Sequence, residues 1–147
     1  MKLAVQDWTV PRTAKGLGRA GLLPFCIAPL LLYLDPVHRD LYTDALGSYA
    51  LAILCFLVGI WWGLALIRRS ALALLLSNAL VLAAFFGKLL LPASAFFLLC
   101  CLLFPLTVVV ERSLWLFRRQ PAYYASLRLQ LTAVATVALL LSAWLLR

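Results

Sequence analysis

The chain has 147 residues, 66% hydrophobic and 12% charged, with a formal net charge of +8. Soluble domains run at roughly 45–50% apolar and about 25% charged, so the composition excludes an ordinary soluble fold and points to a membrane. The cations border apolar stretches, where anionic lipid headgroups attract each at roughly 1 kcal/mol; the membrane surface, not nucleic acid, is the partner this charge implies.

Cutting the sequence at its charged residues leaves apolar runs at 20–34, 45–67, 70–87, 89–110 and 129–146. About 20 helical residues cross the hydrocarbon. The last four runs meet that length, and the first does so if Lys15 and Arg19 snorkel to the interface. The predicted fold is therefore an all-α membrane protein with five transmembrane helices at about 17–34, 45–67, 70–87, 90–110 and 127–146. They form a single polytopic domain over residues 1–147.

A cytoplasmic N-terminus puts ten of the thirteen Lys and Arg on the inner side and leaves Arg39, Lys88 and Arg147 outside. That bias predicts a cytoplasmic N-terminus and an external C-terminus.

Residues 1–18 mix charge with Trp8 and Pro11, then turn basic. The basic start and apolar run up to Leu34 resemble a secretory signal, but no small-x-small cleavage site follows, so the run is predicted to stay as the first helix. Pro24 and Pro29 should kink it, since each removes a backbone donor and crowds the preceding turn. A re-entrant or tilted first helix is the alternative.

Asp35, His38, Asp40 and Asp44 come next, in a predicted outer loop. An oxygen-ligand cation site needs a denser set, so the loop reads as solvated and no metal site is expected.

The second helix carries Gly59-Ile60-Trp61-Trp62-Gly63. At 100° per residue the two glycines lie about 40° apart, and Ala52 and Cys55 extend the same small-residue face. Small residues let a second helix approach closely in lipid. Trp62, about 60° from Gly59, is placed to wall that groove, while Trp61 points nearly opposite. Ala52, Cys55, Gly59, Trp62 and Gly63 are the predicted helix-packing residues.

Arg68-Arg69 anchor the inner end of this helix. Asn78 is the deepest strongly polar side chain of the third, and is predicted to turn inward and bond a neighbouring helix for roughly 0.6–2 kcal/mol. Gly87-Lys88 and Pro92 break the hairpin that follows.

The fourth helix contains Pro105 and ends at Glu111, the only glutamate. Residues 113–119 interleave apolar and basic side chains and should lie along the inner interface. Tyr123 and Tyr124 belong to the aromatic belt, and Arg128 opens the last helix. A lone acid at that depth is disfavoured, so Glu111 and Arg128 are predicted to form an interfacial ion pair. Cys26, Cys55, Cys100 and Cys101 form no CxxC or Cys/His cluster and read as apolar residues with free thiols. No internal repeat is visible.

Three stretches, 11–25, 49–65 and 121–132, together resemble an uncharacterised family of small multi-pass proteins, the domain of unknown function 3429. Its animal relatives are mitochondrial transmembrane proteins. The resemblance implies a polytopic, bacterial-type inner-membrane protein and no established activity. In the family pattern a histidine often precedes the tryptophan of the second stretch. Trp61 stands there in this chain, so no proton or metal role for such a histidine carries over.

The function expected is a structural, assembly or accessory component of the bacterial cytoplasmic membrane. It would act through helix–helix contacts, as a homo-oligomer or within a larger complex, with no catalytic activity and no cofactor. A small solute or ion transporter or channel is the alternative. Pro24, Pro29, Pro105 and Asn78 favour it, and the missing repeat opposes it. A binding site for lipid or quinone between Trp61, Trp62 and Tyr49 is a further alternative.

Overall fold

The computed structural model describes residues 9–114 and 122–147. Its elements are α1 (Thr9–Ala20), α2 (Leu23–Leu34), a 3-10 turn (Pro36–His38), α3 (Arg39–Arg68), α4 (Ala71–Leu90), α5 (Ala93–Ser113) and α6 (Ala122–Leu145). No strand occurs among the described residues. Five segments are long and apolar enough to cross a membrane: Pro11–Leu34, Pro36–Arg68, Ala71–Leu90, Ala93–Ser113 and Tyr123–Leu145. Helices suit such a solvent because each backbone donor and acceptor is satisfied within its own segment.

The first span is interrupted just before Pro24, which divides it into α1 and α2. The chain leaves α1 at Gly21-Leu22, just before Pro24, which has no N–H to offer Ala20. The Gly21 carbonyl is taken up by the Tyr49 hydroxyl of α3 at 2.8 Å, tying the break to the next span. Pro29 sits inside α2.

The predicted outer loop at 35–44 is mostly helical. Only Asp35 to His38 form the connection, and α3 starts at Arg39, earlier than expected. At 1.5 Å per residue α3 is about 45 Å long, so its first turns rise beyond a hydrocarbon layer of about 30 Å. Asp35 organises this end by accepting from Tyr42 Oη at 2.8 Å, with His38 Nδ1 at 2.9 Å. Those two contacts, His38 first, hold its carboxyl below the usual carboxylate range. Asp44 is engaged by Lys88 of α4 at 2.9 Å, and Arg39 reaches the Leu145 carbonyl at the end of α6.

The α3–α4 connection is tight. Arg69 takes a left-handed conformation (φ 56°), and Ser70 caps α4 by accepting from the Ala73 N–H at 3.4 Å. The helix α4 continues through Gly87 and Lys88 to Leu90, so the hairpin break falls at Leu91-Pro92 alone. The interfacial segment expected at 113–119 lies, beyond Leu114, outside the described residues, as does Trp8.

The helices α5 and α6 pack together most extensively, α2 lies against α6, and α3 touches α2, α4 and α5. The core between them holds Phe25, Leu46, Leu54, Phe96, Phe97, Phe104 and Leu139. A second cluster joins Val58, Trp61 and Ala65 of α3 to Ala73 of α4. Close approach is achieved by the inward face of α4, where Ala73, Ser77, Ala84 and Gly87 are all buried. A Cβ on Gly87 would stand 2.3 Å from Leu99 Cδ2 of α5, so glycine lets that hairpin close.

Candidate functional site

Thr107 and Glu111 are four residues apart on α5, and Arg128 and Thr132 four apart on α6. Each pair therefore shares a helix face. The α5–α6 contact turns the two faces together, with Arg128 Nε 3.2 Å from Glu111 Oε2. Arg128 Nη2 donates to Thr107 Oγ1 at 2.8 Å and lies 3.3 Å from Glu111 Oε1. Thr107 Oγ1 in turn donates a hydrogen bond to the Phe104 carbonyl at 2.7 Å. From α3, the Trp61 indole N–H donates to Glu111 Oε1 at 3.0 Å.

All of this is out of solvent: Glu111 is 8% exposed, Arg128 5%, and Trp61 and Thr107 0%. Trp61 lies seven residues inside the end of α3, which sets the centre about 10 Å along the helix from that end. A buried ion pair recovers its desolvation cost only when its remaining donors and acceptors are satisfied. Here both carboxylate oxygens accept, and three helices are bolted at one point.

Glu111 and Arg128 thus lie together, in a centre buried within the chain. The predicted small-residue face of α3 behaves differently. Ala52, Gly59, Trp62 and Gly63 are exposed and Cys55 is half-buried. Among the described residues, nothing comes within 4 Å of a Cβ built on Gly59 or Gly63. Among the described residues this face is not a seam. The seam is the opposite face, where Leu54, Val58, Trp61 and Ala65 are buried.

Asn78 is also corrected. It is exposed and donates to the Leu74 carbonyl of its own helix at 2.9 Å, not to a neighbour. The carbonyl one turn back satisfies its amide locally, and Ser77 is the buried polar side chain of α4.

Sequence reasoning left Trp61, Thr107 and Thr132 out of the centre. A signal for the threonines existed: each stands one helical turn from a charged residue on the same face.

Beside Arg128 lies a pocket of about 410 Å³ between α1, α2, α3, α5 and α6. Phe25, Phe56, Phe104 and Leu131 are among its apolar walls, and Arg128 with Thr132 makes its polar corner. Leu17 and Phe56, 69% and 68% exposed, mark its mouth. Residues from all three stretches that carry the family resemblance line it.

A family model described as a protein of unknown function, DUF3429, matches residues 10–144. The chain belongs to this family. A 60-residue stretch of this DUF3429 protein is 40% identical to Transmembrane protein 69 of Xenopus tropicalis. The match covers 41% of this chain and 24% of that protein, so about a quarter of the relative's length is spanned. No solved structure matches the chain. Family membership and the five long apolar helices agree on a multi-pass membrane protein of helical-bundle type.

Proposed function

We propose that this protein is a non-catalytic assembly or accessory component of the bacterial cytoplasmic membrane, acting through helix–helix contact. The observation that carries the reading is the uncovered face of α3. Ala52, Phe56, Gly59 and Gly63 recur at helical spacing, and the two glycines meet no side chain among the described residues. The chain closes Glu111 and Arg128 inward and leaves outward a small-residue surface that a further transmembrane helix can approach closely. That helix belongs to a second copy or to a larger complex.

The orientation that accompanies this reading has the N-terminus inside. The basic excess at one set of helix ends, Arg68, Arg69 and Arg112 among them, supports it.

Photo-cross-linking from position 56 or 62 in native membranes tests the proposal. A discrete cross-linked product that disappears in Gly59→Leu is expected. Recovery of the monomer alone from both positions would refute it.

A further inference from the structure

The guanidinium of Arg128 has five N–H donors in a fixed fork. Nε and Nη2 are spent on Glu111 and Thr107. Among the described residues Nη1, which carries two hydrogens, has one acceptor, Thr132 Oγ1 at the long distance of 3.5 Å. At least one N–H of a side chain only 5% exposed thus has no acceptor among the described residues, and Arg128 and Thr132 both line the pocket. A buried donor without an acceptor is costly, and the rest of the wall is overwhelmingly apolar.

We propose that this pocket binds an apolar-tailed molecule through a neutral carbonyl oxygen received by Arg128 Nη1. The neutrality follows from Glu111. That carboxylate already balances the guanidinium at 3.2 Å, so an anionic head would bring an uncompensated charge into a low-dielectric site. A bare hydrocarbon would leave the N–H unmet. Phe25, Phe56 and Phe104 offer aromatic faces, and the exposed mouth at Leu17 and Phe56 admits a ligand from the lipid side. Two membrane sources share this chemistry, the carbonyl of a prenylated quinone and the acyl ester of a glycerolipid. The inference concerns binding alone and goes beyond the helix-contact reading, since it is tested on the isolated chain.

Four probes of one tail length decide it, titrated into the full-length protein in mild detergent with calorimetric detection. They are decyl-benzoquinone, methyl decanoate, decanoate and decane. Saturable binding of the two neutral carbonyl probes is expected, about tenfold or more tighter than decane or decanoate. Tighter binding of the quinone or of the ester identifies the source. Decane binding as well as the carbonyl probes, or decanoate binding best, overturns the proposal.

Leu131→Trp adds bulk to the pocket wall and leaves Glu111 and Arg128 themselves unaltered. It is expected to abolish binding while the helical content is retained, and binding that survives in this variant also overturns the proposal. The four-probe comparison on the unaltered chain decides independently of whether the variant folds.

Discussion

Removing one member of the Glu111–Arg128 pair should be among the most damaging single changes in the chain. Glu111→Met leaves a guanidinium that is 5% exposed with no counter-charge and deprives the Trp61 N–H of its acceptor. Breaking a buried pair from one side costs about 3–5 kcal/mol. Losing the Trp61 hydrogen bond to the carboxylate adds about 1.5–3 kcal/mol, though the two overlap because both arise at one carboxylate. Arg128→Met should cost about 3–5 kcal/mol for the same reason, with the charge left on Glu111. The double variant removes both charges and fills the space with apolar atoms. It should be no worse than either single variant, a coupling of about 3–5 kcal/mol. Trp61→Phe loses the N–H and leaves part of the fully buried indole's space unfilled, for about 1–3 kcal/mol. Unfolding by SDS in mixed micelles, followed by helical circular dichroism, measures all four. Single variants that each cost under about 1 kcal/mol, or costs that add within about 0.5 kcal/mol, would refute the claim that this network bolts α3, α5 and α6 together.

The glycines should separate by location. Gly59→Leu and Gly63→Leu are expected to leave the stability of the isolated chain within about 0.5 kcal/mol, because their surroundings are open. Gly87→Leu should lose about 1–3 kcal/mol by overpacking against Leu99 and Phe96, and the same denaturation assay ranks the three. Asp35 has a folded pKa below its unfolded value, so its contribution is present above about pH 4 and lost as pH falls through the folded value. The difference in melting temperature between the native chain and Asp35→Asn should therefore hold above about pH 4 and shrink as pH falls below it. A gap that widens on acidification would contradict it. Arg69→Gly removes a side chain from the left-handed region and should raise stability by about 1 kcal/mol, read as a higher melting temperature.

Much of the fold was legible because the bilayer sets a length that the apolar runs either meet or miss. All five spans could be counted that way; the first is divided into α1 and α2, and ends moved, as at α3, whose first turns carry Arg39, Asp40 and Asp44. Which face of a span turns inward was harder to read. In a soluble helix the apolar stripe names the buried side, but in lipid both sides of α3 are apolar and the stripe is silent. Small residues at Gly59 and Gly63 suggested one face, yet Leu54, Val58, Trp61 and Ala65 on the opposite face are the ones buried. What breaks the tie is a polar atom. The lone glutamate of an apolar chain needs donors. Arg128 supplies most of them, and Trp61 is the α3 side chain that brings an N–H to the same point. Asn78 escaped the same logic because the Leu74 carbonyl one turn back meets its amide, so its polarity fixes no face at all. A polar group orients a membrane helix only when its own helix cannot satisfy it. A carboxylate, which needs donors that a continuous helix does not have to spare, meets that condition, whereas an amide beside a backbone carbonyl does not.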